Sequence, residues 1–192
     1  MFQLTKHNPM VAAVRDISHL DIALNSNVEI ISMMAGNLSN ISEIVERIHA
    51  KKKQAFLHVD LIKGLANNNE AVDFLAEKVK PTGIVTTKGR LIKKAKECDL
   101  TAIQHNFIID TQAFSMSVRS TKQNQPDAVE MMPGLMPRVI KDLKAEIDLP
   151  LIVGGLLNTE TEIKEVLNAG ASAVVSGNPD LWHMNLMKME EV

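Results

Sequence analysis

Two glycine-bearing segments near the end of the chain have the make-up of a phosphate cradle: LIVGGLLNTETEI over 151–163 and AGASAVVSGNPDLW over 169–182. A phosphate needs several backbone N–H donors at close range, and glycine permits both the approach and a positive φ. Gly154, Gly155, Ser176 and Gly177 supply such backbone, and a helix opening at Pro179 would aim its positive end at the anion. A single glycine would signify only a tight turn. Gly-Gly paired with Ser-Gly favours the anion site.

Three further groups are candidates for the rest of a ligand. In FLHVDLIKGLAN, 56–67, Asp60 suits a substrate hydroxyl and Lys63 an anion. His58 shares the in/out parity of Asp60 and reads as a satisfied core histidine. Thr86, Thr87 and Lys88 offer hydroxyls and a cation fit for a polyol phosphate. In DAVEMMPGLMPRVI, 127–140, Glu130 either points inward, if it alternates with Ala128, or reaches the mouth through Met132-Pro133-Gly134, and Pro133 and Gly134 shape the loop. The eleven methionines, four of them within 116–136, read as adaptable core packing.

Other chemistries find little support. The six histidines (His7, His19, His49, His58, His105, His183) show no paired ligand spacing and Cys98 stands alone, so no metal centre is expected. Ser-His-Asp and P-loop patterns are absent. Cys98, in KKAKECDL, reads as a buried or half-buried thiol without an activating neighbourhood. The opening MFQLTKHNPM lacks a signal pattern, and no apolar run nears the roughly 20 residues that span a bilayer. A cytoplasmic protein without a membrane partner is expected.

The elements that must position these residues alternate. Val- and Ile-rich runs at 9–14, 28–34, 55–60, 83–87, 101–105, 127–132, 150–153 and 173–176 read as strands. Helical periodicity fills 18–25, 39–51, 70–79, 89–97, 111–123, 135–147 and 159–168, with a last helix from 179. Asn40 with Glu43 and Thr159 with Glu162 fit capping boxes. Gly170 suits a left-handed C-cap, and Asn178 an N-cap ahead of Pro179. Eight such units imply a parallel sheet. No glycine follows the first strand, at Val14-Arg15-Asp16, whereas glycines follow the seventh and eighth. That placement favours a closed barrel over an open doubly wound sheet. The reading is α/β: one compact (β/α)8 TIM-type barrel with short loops over 1–192, since such barrels usually need about 250 residues.

Charge constrains partners. The net charge is -2 with 3% aromatics, so neither bulk electrostatics nor a stacking platform announces nucleic acid. The basic stretch Lys88, Arg90, Lys93, Lys94 and Lys96, with Arg119 and Lys122, is the best candidate for touching a polyanion.

Taken together, HVDLIKGL (58–65), GIVTTK (83–88), AIQHNFIID (102–110), PDAVEMMPG (126–134) and LIVGGL with Gly177 resemble the glycerol-3-phosphate-responsive antiterminator family of Gram-positive bacteria. The resemblance runs from Pro9 to Trp182. It implies a regulator without cofactor that takes glycerol 3-phosphate as effector and then binds the leader mRNA of glycerol-catabolism genes, preventing early termination. By position it implies phosphate on Gly154, Gly155, Ser176 and Gly177, and Asp60, Lys63 and Glu130 at the glycerol end. Family members often carry Arg in the strand-five motif where this chain has His105, which replaces a permanent charge by a titratable one. Two other readings stand beside it. One is a barrel enzyme (isomerase, aldolase or synthase) on a phosphorylated polyol or sugar, with Lys63 as Schiff-base amine or Asp60 and Glu130 as acid and base. The other is a ligand sensor whose output is a protein partner. A homodimer would double whatever surface meets RNA.

Overall fold

The structure is a computed structural model that describes residues 4–5, 7–184 and 186; the ends of the expected 1–192 domain lie outside the described residues. Eight parallel strands close into a barrel in the order β1 to β8, with β1 paired to β8. The strands are β1 Met10–Val14, β2 Ile30–Met33, β3 Gln54–His58, β4 Gly83–Thr86, β5 Thr101–Phe107, β6 Ala128–Met132, β7 Leu151–Gly154 and β8 Ala173–Ser176. The helices between them are α1 Leu20–Asn25, α2 Ile41–Ala50, α3 Asn69–Phe74, α4 Gly89–Glu97, α5 Thr111–Asn124, α6 Pro137–Glu146 and α7 Glu160–Asn168.

Alternation along each strand builds two apolar regions. Inward residues such as Val11, Ile30, Phe56, Val85, Ile103 and Val175 form the barrel interior, and Leu4 joins them. Outward residues meet the apolar faces of the helices, for instance Leu91, Ile92 and Ala95 of α4, all fully buried. Burying a Leu or Ile side chain contributes about 1.5–3 kcal/mol, so each amphipathic helix is held chiefly by this face. The lysines of α4 then fall outward by helical geometry. Their clustering is thus partly the solvent side of a packed helix.

Several expectations need correction. β3 stops at His58, and Val59–Leu61 form a 3-10 turn, so Asp60 is on a turn instead of a strand. The expected helix 70–79 is α3 followed by a π-helical turn, Leu75–Val79, that ends on left-handed Lys80. Asn40 does not cap α2; its Oδ1 accepts the Asn37 N–H at 2.9 Å instead. The last helix is a five-residue 3-10 turn, Pro179–His183, too short to act as a macrodipole. Met116 is 52% exposed and packs no core.

Other local signals hold. Thr159 and Glu162 form the reciprocal capping box of α7, and Asn178 accepts the Asp180 N–H ahead of Pro179. Gly170 has φ +107 beyond α7. Trp182 is fully buried, and its Nε1–H donates to the Ser176 carbonyl at 2.8 Å, fastening the end of β8.

Gly83 shows how tightly the interior is filled. A Cβ there would lie 2.2 Å from the Thr101 carbonyl oxygen and 2.6 Å from the Phe56 ring. Because one obstacle is backbone, Gly83→Ala should lower stability by about 2–3 kcal/mol, measured as the shift in a urea unfolding midpoint. An unchanged midpoint would refute this account of the packing.

Candidate functional site

The C-terminal ends of the strands surround a cavity of about 800 Å³. Its wall includes Arg15 after β1, His58 and Asp60 after β3, Thr87 and Lys88 after β4, and His105 and Phe107 of β5. Gly155, Leu156, Leu157 and Asn158 follow β7, while Ser176, Gly177 and Asn178 close the ring after β8. Strand-tip placement is a consequence of the βα unit: each strand's last residues and following loop converge on one mouth.

The four cradle residues divide by role. Gly155, at φ +81, and Gly177 reach the cavity, as does Ser176, whose Oγ accepts the Asn178 N–H at 3.1 Å. Gly154 lies in β7 beneath them, outside the cavity wall. A Cβ on it would lie 2.3 Å from Val175 Cγ1 and 2.8 Å from the Val175 carbonyl. Gly154 therefore lets β7 and β8 approach, and Gly155 turns the chain over the mouth. Gly134 is likewise a packing position: a Cβ would meet Leu157 at 2.9 Å, and its N–H donates to the Gly155 carbonyl at 2.9 Å.

Asp60 is tied to the tip of β4. Its carboxylate accepts from Lys88 Nζ, from Thr86 Oγ1 at 3.2 Å and from the Thr87 N–H at 3.1 Å. Burial alone would raise its pKa, but the bonds from Lys88, Thr87 and Thr86 outweigh that and hold it below the ordinary carboxylate range. Thr86 is fully buried and serves this knot, with Thr87 and Lys88 beside it on the wall. Lys63 stands apart. It is exposed and off the cavity wall, and its backbone pairs with the β2 loop through Gly36 and Leu38.

On the cavity floor the barrel assembles residues that linear spacing kept apart. Register sets His105 opposite Glu130, and Nδ1 of His105 lies 2.8 Å from Glu130 Oε1 with both side chains 2% exposed. Glu130 thus points inward, in parity with Ala128. The His58 ring packs edge-on against His105, with centroids 5.1 Å apart. His58 is 4% exposed, and neither of its ring nitrogens has a hydrogen-bond partner. Burial pushes its pKa down, against the weaker pull of Glu130 and Asp60, so the ring is neutral. The expectation of a satisfied core histidine is thereby corrected: it is buried but unsatisfied.

Arg15 was not foreseen as a site residue. It is exposed, lines the cavity with its Cδ 3.3 Å from the Cβ position of Gly177, and makes no ion pair among the described residues. Its place at a strand tip, directly after the apolar run of β1, was the available signal.

The basic residues are mostly engaged. Lys94 pairs with Asp73 at 2.6 Å, Lys96 with Asp127 at 3.5 Å and Lys122 with Glu146 at 3.0 Å; Lys88 holds Asp60 and Arg90 the Asn67 carbonyl. Lys93 on α4 and Arg119 on α5 are exposed and without an ion pair among the described residues. Cys98 is half-buried against Asp73, and desolvation first, then that carboxylate, raises its pKa. No described helix is long and apolar enough to cross a membrane.

Comparison with known proteins agrees with this geometry. Residues 10–182 match the family described as glycerol-3-phosphate responsive antiterminator. A protein of Escherichia coli (strain K12), the uncharacterized YgcP, is 35% identical over 95% of both chains. The crystal structure of a glycerol uptake operon antiterminator regulatory protein from Listeria monocytogenes superposes with a TM-score of 0.89 at 30% identity, covering 94% of this chain and 97% of that one. An antiterminator-related protein from Thermotoga maritima has the same fold, with a TM-score of 0.82 at 24% identity, covering 93% and 100%.

The Asp60 knot has a measurable consequence. Asp60→Asn removes the charge that Lys88 holds and sets an amide against it. Hydrogen bonds to charged groups are worth about 1.5–3 kcal/mol, so a loss of about 1–2 kcal/mol in urea unfolding is expected for this half-exposed pair. A variant as stable as the parent would show that the knot is merely incidental.

Proposed function

The chain belongs to the glycerol-3-phosphate responsive antiterminator family, and on that premise we propose that its cavity binds glycerol 3-phosphate and that occupancy governs binding to the leader mRNA of glycerol-catabolism genes. The observation that carries the ligand reading is the juxtaposition of Arg15 with Gly177, Ser176 and Gly155 on one wall of the mouth. A guanidinium beside glycine-rich backbone suits a phosphate dianion, since it adds charge-assisted hydrogen bonds to the backbone cradle. Asp60 and Lys88 stand on another part of the same wall, where hydroxyls of a three-carbon polyol would meet them.

Sensing fits the geometry better than turnover. The enzyme reading needs an amine or an acid/base pair facing the ligand. Lys63 lies off the wall, Asp60 is held by Lys88, and Glu130 by His105. The RNA contact proposed here uses Lys93 and Arg119, whose charges no protein carboxylate neutralises among the described residues, with the paired lysines as auxiliaries that exchange partners. A second copy of the chain would double that surface.

Calorimetry with glycerol 3-phosphate and with glycerol tests the ligand. Arg15→Ala should weaken glycerol 3-phosphate at least tenfold, about 1.4 kcal/mol, and glycerol should not bind measurably. Equal binding of both compounds would overturn the phosphate reading. For the output, a gel shift of leader RNA should tighten when glycerol 3-phosphate is added. Lys93→Glu with Arg119→Glu should weaken the RNA complex at least tenfold while sparing the ligand. RNA affinity indifferent to both changes would rule that surface out.

A further inference from the structure

We propose that His58, His105 and Glu130 form a binding site for a divalent transition-metal ion, zinc foremost, on the floor of the cavity. Each residue offers one ligand atom, and these atoms all lie within 4.8 Å of one another. All three residues are buried, at 4%, 3% and 2% exposure. They come from β3, β5 and β6, so their mutual position is fixed by sheet register instead of by loop conformation.

Three observations converge on a metal. First, both nitrogens of His58 lack a partner among the described residues, although an unpaired buried polar group is costly. An unpartnered imidazole at that depth is a ligand in waiting. Second, the donor set is two imidazoles and one carboxylate. That set suits zinc and its first-row neighbours, and its three protein ligands leave a coordination position open. Third, His58 and His105 both line the cavity, so the open position faces solvent and any bound ligand. Glu130 brings the carboxylate that offsets part of the cation's charge.

The fit requires a small closure. Bonds of about 2.0–2.1 Å place tetrahedral ligand atoms about 3.4 Å apart. Ligand atoms that now stand up to 4.8 Å apart close by up to about 1.4 Å to reach that spacing. The site is independent of the ligand and RNA reading above, since nothing in its geometry involves phosphate or nucleic acid.

The test uses the full chain, free of any affinity tag and stripped with a chelator. Zinc is titrated against a chromogenic competitor, and cobalt(II) is added separately for its visible absorption. One equivalent of zinc should bind, and cobalt should give the bands of a low-symmetry site with nitrogen and oxygen ligands. His58→Gln and Glu130→Gln should each weaken zinc at least tenfold, whereas His49→Gln on exposed α2 should not. Circular dichroism checks that the variants fold. Should they not, histidine nitrogen NMR on the parent chain decides. Zinc must then shift two buried imidazoles in preference to the exposed ones. Absence of zinc and cobalt binding, binding unaltered in the folded variants, or shifts confined to exposed histidines would each overturn the proposal. Glycerol 3-phosphate is absent from every arm, so failure here leaves the ligand reading standing.

Discussion

A buried imidazole and carboxylate, 2.8 Å apart on neighbouring strands and each 2% exposed, impose the strictest condition on the molecule. Each is the other's hydrogen-bond partner, and a buried polar group that loses its partner costs about 1–3 kcal/mol. Their pairing requires β5 and β6 to keep one register, in which His105 faces Glu130. A slip by one residue would turn both out of the barrel and disrupt the interior beneath them. Pairing through β4 brings His58 of β3 beside His105, and these two imidazoles line the cavity. The barrel thus carries a polar layer above an apolar one.

The mouth above that floor separates packing from binding. Gly154 and Gly134 are small because neighbouring strands and Leu157 leave no room for a Cβ. Gly155 and Gly177 line the cavity, where a Cβ would meet nothing nearer than 3.3 Å, and the missing side chain gives access to backbone. Asp60, Thr86 and Lys88 form a knot that joins the tips of β3 and β4, stiffening one side of the rim. Arg15 contributes charge on another part of the wall, without an ion pair among the described residues. A rim that is braced on one side and charged on another would, on the proposed reading, hold a small anion with little reorganisation.

Surface charge follows a similar economy. The α4 lysines look like a nucleic-acid patch in the sequence, yet Lys94 and Lys96 lie against Asp73 and Asp127. Such exposed pairs are individually weak, and they lower the local potential more than they stabilise the fold. That leaves Lys93 and Arg119 on α4 and α5 as the unscreened charges of this side, and the two helices pack together.

The sequence alone determined the architecture, since strand and helix periods are local properties of side-chain alternation. Eight βα units, the late glycines and the Thr159 capping box were all legible, and the motif order from 58 to 177 was enough to identify the family. Boundaries were less so: the 3-10 turn at Val59–Leu61, the π turn after α3 and the shortness of the final turn arise where tertiary contacts override local preference. The site was half legible. Gly155, Gly177, Asp60 and Lys88 announced themselves by type and position, but which glycine packs and which faces the cavity depends on neighbours far along the chain. His58, His105 and Glu130 share no spacing that any linear pattern records. Only closure of the sheet, which brings residues 47 and 25 positions apart to one layer of side chains, decided that they meet.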